Sequence, residues 1–269
     1  MKALIPAAGL GSRFLPATKA QPKEMLLVVD RPVIQYVVEE GLAAADEVVI
    51  INSRDKKSIE EHFTPNPALE AELRSRGKDK YADKVAHAGN LNVSYVYQDE
   101  PLGLGHAVHC AAEATGNEPF FVLLGDVIVP DNQMLIKMKE VSDAHNGASV
   151  IAVLPVAKDQ VDRFGVIDGV EVSEGVWKVN SLVEKPAVEE APSNLAVFGR
   201  YLLTPRVMEL LADAKPGAGN EIQLTDALDA LLKEEEMYAL VIDPEDGYDT
   251  GTIESWLDTN NRLYKKLHG

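Results

Sequence analysis

Cysteine is nearly absent: Cys110 stands alone among 269 residues. One thiol excludes an intramolecular disulfide and fits a reducing compartment. Long apolar runs are missing too. None approaches the ~18–20 residues that cross a bilayer, and the chain starts directly on a strand-like run with no signal-peptide core. The expectation is a cytoplasmic protein with no membrane partner. Positive charge is scarce, with 26 Lys and Arg against 43 Asp and Glu, net -17. So acidic a chain lacks the basic footprint of a nucleic-acid-binding surface. There is no Ser- or Gly-rich linker and no repeat, and 46% of residues are apolar. One large α/β domain with a sizeable core is expected. No Ser-His-Asp or Cys-His signature stands out, and the six histidines show no metal spacing.

What is present is concentrated at the start. Leu4-Ile5-Pro6-Ala7-Ala8-Gly9-Leu10-Gly11-Ser12-Arg13 runs from a buried strand into a loop of small residues. Such a loop brings backbone N–H groups close to a ligand, where they cradle phosphate or meet a base edge. Residues 1–31 hold five basic side chains (Lys2, Arg13, Lys19, Lys23, Arg31) and two acidic ones (Glu24, Asp30), a local +3 in an acidic chain. That reversal of sign points to an anion site. Generic motifs do not account for it. Phe14 stands where G-x-G-x-x-G needs its third glycine, and G-x-x-x-x-G-K-[ST] is absent.

The rest of the chain alternates strand and helix. Helical spacing over Val33 to Ala45, with Pro32 suited to the first turn, precedes the apolar strand Glu47 to Asn52 and a charged helix over Ser53 to Phe63. Residues 64–90 interrupt the rhythm as a polar, alanine-rich surface insertion, helical over Ala68 to Ala88, suited to an oligomer contact. Asn92 to Tyr97 and Phe120 to Leu124 are further strands, separated by a helix ending near Thr115. The loops after Ile5, Tyr97 and Leu124 then converge on one crevice beyond the strand ends. A helix over Asn132 to Ala144 and a strand over Ser149 to Val156 follow. From Asp162 short β pieces (Gly165 to Ile167, Val176 to Val183, Leu195 to Leu203) suggest an antiparallel lobe. Helices over Arg206 to Leu211 and Ile222 to Lys233 flank Lys215-Pro216-Gly217-Ala218-Gly219, with a strand over Tyr238 to Ile242 and an amphipathic helix over Thr252 to Leu267 closing the chain.

Ala7-Ala8-Gly9-Leu10-Gly11-Ser12-Arg13, Pro16-Ala17-Thr18-Lys19-Ala20, Pro22-Lys23-Glu24-Met25-Leu26 and Asp30-Arg31-Pro32 together resemble the signature of the sugar-1-phosphate nucleotidylyltransferases. Gln35 to Glu40, Gly105-His106-Ala107-Val108 and Glu221 to Ala227 are most similar to its uridylyl-transferring members. The resemblance covers nearly the whole chain outside 64–90. It implies a Rossmann-like, doubly wound, predominantly parallel mixed sheet, with a nucleotide half over about 1–150 and a smaller β-rich sugar half over about 151–269. It also implies transfer of UMP from UTP to glucose 1-phosphate with Mg²⁺ as cofactor, in a homo-oligomer, a dimer or tetramer. Residue by residue, it places Ala8, Gly9, Gly11, Gln98, Gly103 and Asp126 on the nucleotide. Arg13 and Lys23 become the triphosphate cations and Lys185 the cation on the sugar's phosphate. Gly165, Glu184 and Val197 meet the sugar, and Asp126 and Asp249 hold the metal.

The chemistry is coherent. A phosphate monoester is largely dianionic at pH 7, its second pKa being about 6, so it attacks without a general base. Cations, metal and orientation are what such a transfer needs. Gln98, donating and accepting at once, suits the imide edge of uracil. Several residues also read more simply. Asp126 suits a turn, Asp249 suits capping before a helix, Val197 suits a core strand, and His106 suits a structural place at a helix start. Thymidylyl transfer and a catalytically weak regulatory homologue remain alternatives. A nicotinamide-dependent oxidoreductase is disfavoured by Phe14.

Overall fold

The computed structural model describes residues 1–130, 133–217 and 220–269. Its frame is a nine-stranded sheet in the order β5-β4-β1-β6-β11-β8-β12-β10-β9. β1 (Lys2–Pro6) leads into three short 3₁₀ turns, the ribbon β2 (Leu27–Val28) and β3 (Arg31–Pro32), and α1 (Val33–Leu42). Next come β4 (Glu47–Asn52), α2 (Lys57–His62), α3 (Pro67–Ser75), α4 (Asp79–Gly89) and β5 (Val93–Tyr97). α5 (Leu104–Cys110) and α6 (Ala112–Thr115) carry the chain back across β1 to β6 (Phe120–Leu123). β7 (Val127–Ile128), α7 (Met134–Ala144) and β8 (Ser149–Pro155) follow, then the long strands β9 (Gly165–Ser173), β10 (Val176–Glu184) and β11 (Leu195–Leu203). α8 (Arg206–Ala212), α9 (Leu224–Leu231), β12 (Met237–Val241), β13 (Tyr248–Asp249) and α10 (Ile253–His268) complete the chain.

Both faces of the sheet's centre are covered, which is why β1, β4, β6 and β8 are apolar through their middles rather than alternating, whereas the outer strands β9 and β10 carry Asp168, Glu171, Lys178 and Asn180. Leu4, Val49, Ile51 and Val122 face α5, α8 and α9. Ala3, Ile5, Val48, Ile50, Phe121 and Leu123 face α1 and α7. The period of two along β1 thus divides one strand between two cores. A third cluster, Val28, Val33, Ile128, Tyr248 and Leu263, pins α10 and β13 beside β7.

The β pieces of the second part pair antiparallel with one another, as expected, and do so as an extension of the same sheet. β11 inserts antiparallel between β6 and β8, β12 runs parallel to β8, and the β9–β10 hairpin extends the same sheet through β12. Several expected helices are shorter. The 68–88 helix divides into α3 and α4 around Gly77, whose φ is +66°. α2 starts only at Lys57, after the turn closed by Lys56 N–H on Ser53 O. α9 begins at Leu224 because the Ile222 backbone is already bonded elsewhere: its N–H donates to Leu102 O (2.7 Å) and its O accepts from Gly105 N–H (2.8 Å). Asn132, the expected start of α7, and Ala218 and Gly219 of the expected turn lie outside the described residues. The 64–90 segment is docked on α1 and its approach, Lys84 to Asp30 at 3.1 Å and His87 to Glu39 at 2.8 Å.

Candidate active site

From β1 the sheet grows in one direction through β4 and β5 and in the other through β6. The loops leaving β1 and β6 therefore part at the switch in strand order, where open α/β sheets form a ligand crevice. A cavity of about 450 Å³ lies there, lined by Ala8, Gly9, Gly11, Lys23, Gln98, Gly103 and Asp126. All six residues expected on the nucleotide and one of the expected cations thus share one space. Pro101, Leu104 and Glu221 line it as well.

The small-residue loop is held from outside. Ala7 N–H donates to Ile51 O (2.9 Å), Thr18 Oγ1 to Gly11 O (2.8 Å), and Gly11 takes φ +64°. Lys56 donates to Ala7 O and lies 3.0 Å from Glu24, which is 1% exposed. Burial presses both members of that pair toward their neutral forms, and their opposite charges offset it only in part. Gly103 has no substitute: its φ is +104°, and a Cβ there would stand 2.7 Å from Ile222 O. Gln98 Nε2 donates to Gly103 O (3.1 Å) and to His106 Nδ1 (2.9 Å). With both amide hydrogens engaged, Gln98 does not donate and accept toward a ligand at once, as the sequence suggested. It offers only Oε1.

At the end of β6, Lys23 Nζ lies 2.5 Å from Asp126 Oδ2. Burial works against ionisation of each, yet the pairing prevails, holding the ammonium above and the carboxyl below their ordinary ranges. Antiparallel pairing of β13 with β7 sets Asp249 opposite Val127, one residue from Asp126. A Cβ placed on Gly251 would be 3.0 Å from Asp249 Oδ1, 3.6 Å from Asp126 Oδ2 and 3.8 Å from Arg13 Nη1, so these three side chains surround one point. Asp249 does not cap α10. Thr252 does, in a capping box with Ser255, while Asp249 Oδ1 accepts from Gly251 N–H at 2.8 Å. Among the described residues, Asp126 Oδ1 and Asp249 Oδ2 have no hydrogen-bond partner. Two carboxylates, each with a free hard oxygen, fit a Mg²⁺ that takes its remaining ligands from phosphate and water. No third His, Cys, Asp or Glu completes an all-protein metal cage among the described residues.

The loop carrying Asp126 is braced from beneath by Arg200 of β11, itself 0% exposed. Its guanidinium forks onto Glu40 of α1 (2.8 and 2.7 Å) and donates to the carbonyls of Val127 (2.8 Å), Gly199 (3.0 Å) and Leu124 (3.4 Å).

On the far side of Asp126 a smaller cavity of about 170 Å³ is lined by Asp126, Asp249, Phe164, Val197 and other apolar residues. Gly165 stands at its edge, where a Cβ would meet Glu184 Oε2 at 3.2 Å and Val197 Cγ2 at 3.6 Å. Glu184 accepts from Thr225 Oγ1 (2.9 Å) and from Lys185 Nζ (2.7 Å). Lys185 is held at φ +48°, a costly conformation for a side-chain-bearing residue that clusters at functional positions. Its side chain is 58% exposed and lines neither cavity, and Arg13 likewise stands outside both linings. Asp126 lines both cavities and joins them.

Lys56, Glu24, Thr225, Glu221, Arg200 and Glu40 escaped the sequence reading. Glu24, Glu40, Glu221 and Thr225 lay inside the family-like motifs with no role. The pairings of Lys56, Arg200, Glu40 and Thr225 become visible only once residues 41 to 160 positions apart are brought together.

The family model described as nucleotidyl transferase matches residues 2–266. The UTP–glucose-1-phosphate uridylyltransferase of Staphylococcus haemolyticus (strain JCSC1435) is 48% identical over 252 residues, 93% of this chain and 87% of that one. A solved UDP-glucose pyrophosphorylase complexed with UDP-glucose superposes with a TM-score of 0.86 at 41% identity, covering 98% of both chains. A structure from Bacillus anthracis proposed to be a glucose-1-phosphate thymidylyltransferase is more distant, with a TM-score of 0.74 and 25% identity over 97% of this chain and 94% of that one.

Proposed function

The chain belongs to the nucleotidyl transferase family, and from that premise we propose that it is an enzyme transferring UMP from UTP to glucose 1-phosphate. The observation that carries this reading is Asp126, one carboxylate lining both the larger and the smaller cavity. The larger cavity takes UTP, its base against Gln98 and Gly103 and its phosphates along the backbone of Ala8, Gly9 and Gly11. The smaller one takes glucose 1-phosphate, with Gly165, Glu184 and Val197 on the sugar and Lys185 on its phosphate. An oxygen of the sugar phosphate bonds to the α-phosphorus, the bond from that phosphorus to the β-phosphate bridge breaks, and pyrophosphate departs. The attacking dianion needs no proton removed, so the side chains supply charge and alignment. Lys23 and Arg13 face the charge that grows on the leaving pyrophosphate. Asp126 and Asp249 hold Mg²⁺, which offsets phosphate charge when bound.

The uridylyl reading is favoured over the thymidylyl one by the higher identity of the uridylyltransferase relatives. A regulatory homologue could lose any of Arg13, Lys23, Asp126, Lys185 or Asp249 without harm to the fold; this chain keeps all five. Pyrophosphate release tests the assignment, with UTP, dUTP, dTTP, ATP and GTP each crossed with several sugar 1-phosphates. UTP with glucose 1-phosphate should give the highest kcat/KM. dTTP should follow by a modest factor, since a methyl contact discriminates by only ~1–3 kcal/mol, and dUTP should account for much of that loss. Equal rates with UTP and dTTP would remove the uridylyl assignment and leave nucleotidylyl transfer.

A further inference from the structure

Gln98 is 7% exposed, yet it lines the larger cavity, and both hydrogens of its amide have acceptors within the protein. The orientation of a glutamine amide is ordinarily an inference from its partners. Here one partner decides it. Gly103 O can only accept, so the atom 3.1 Å from it is the NH₂ group. The second amide hydrogen then meets His106 Nδ1 at 2.9 Å, which fixes the imidazole as well: Nδ1 carries the lone pair and Nε2 the proton. Among the described residues, Nδ1 also lies 4.0 Å from the Cys110 sulfur, a weak donor and weak acceptor compatible with an unprotonated Nδ1.

We propose that His106 is a specificity-determining positioning residue: by accepting the second amide hydrogen of Gln98, it holds the Gln98 carbonyl oxygen toward the nucleotide cavity as an acceptor. This rests on the uridylyl-transfer reading and adds to it the sense of the base contact. A base seated there must donate. Uracil and thymine carry N3–H at the matching edge, whereas cytosine presents an unprotonated N3 and would set lone pair against lone pair. Discrimination between pyrimidines therefore depends on a residue that does not line the cavity. Gly103 O restrains one amide hydrogen alone. Without His106 the second loses its acceptor, and Gly103 O alone is left to oppose a turn of the amide that would offer N–H to the base.

The test is the ratio of kcat/KM for UTP to that for CTP, with glucose 1-phosphate as acceptor, in wild type, His106→Leu and His106→Asn. An asparagine Oδ1 can stand near the position of Nδ1 and restore the acceptor. His106→Leu should lower the UTP:CTP ratio by about three- to tenfold, the scale of one neutral hydrogen bond, mainly through the KM values. His106→Asn should keep the wild-type ratio. An unchanged ratio in folded His106→Leu would overturn the proposal, as would His106→Asn behaving like His106→Leu. Long-range ¹⁵N–¹H NMR of wild type gives a check that needs no variant: an unprotonated Nδ1 supports the proposal, and a proton on Nδ1 overturns it. The wild-type nucleotide preference separately judges the functional reading. Rates with CTP matching those with UTP in wild type would defeat that reading, whatever the NMR shows.

Discussion

Replacing Arg200 separates the stability of the fold from the placement of the metal carboxylate. Arg200 and Glu40 are 0% and 2% exposed, and the guanidinium also serves three carbonyls, two of them in the loop that carries Asp126. Arg200→Met takes from buried Glu40 the guanidinium that forks onto it, and breaking a buried pair from one side costs about 3–5 kcal/mol. For a chain of this size each kcal/mol lowers Tm by about 2–4 °C, so the single variant should melt roughly 6–20 °C below wild type. The pair Arg200→Met with Glu40→Met removes both charges. Exchanging a buried ion pair for apolar side chains is often neutral or stabilising, so most of that loss should return. Turnover should not return with it, because the carbonyl of Val127 still lacks the Arg200 donor, Leu124 O keeps only the Val127 N–H, and Asp126 is no longer held in place. A displacement of about 1 Å is enough to reduce turnover by about 10²-fold. Thermal unfolding followed by circular dichroism, alongside kcat at saturating UTP and glucose 1-phosphate, reads both quantities. Wild-type turnover in the double variant would refute the bracing role. An unshifted Tm in Arg200→Met would refute the energetic reasoning itself.

Lys185→Ala should raise KM for glucose 1-phosphate with little change in KM for UTP. A charge-assisted phosphate contact contributes roughly 1.5–3 kcal/mol, and for a half-exposed lysine the lower end applies, about tenfold. An effect confined to UTP would contradict the division of the site into two cavities. Thr252→Ala should lower stability by about 1 kcal/mol through loss of the α10 cap while turnover stays near wild type. Asp249→Asn should do the reverse, and a variant that melts early but turns over normally would return Asp249 to a structural role.

The parts of the fold legible in sequence were those written locally. The apolar runs of β1, β4 and β6 announced buried strands, and Gly125-Asp126 at the end of one of them marked the crevice. The helix at the C-terminus was legible too, because Thr252 and the amphipathic spacing after it lie in one stretch. What depends on distant partners was not. Nothing near Arg200 in the chain announces Glu40, 160 positions away, and nothing near Lys56 announces the carbonyl of Ala7. Ile222 reads as helix by its neighbours, but Leu102 and Gly105 claim its backbone first. The β-rich second part read as a lobe because its strands are consecutive and short-looked, whereas β11 finds its hydrogen bonds between β6 and β8. Gln98 shows the same limit in one side chain. Its residue type permits donation and acceptance, and only Gly103 and His106 together remove the donation.

The place of Asp126 at the junction of the two cavities is tested most directly by the turnover of Asp126→Asn across a Mg²⁺ titration, with UTP and glucose 1-phosphate saturating. The substitution keeps the side chain's size and removes one negative charge at a focus of phosphates. Turnover should fall by orders of magnitude at every Mg²⁺ concentration while the protein remains folded. Wild-type turnover in that variant at limiting Mg²⁺ would contradict the assignment.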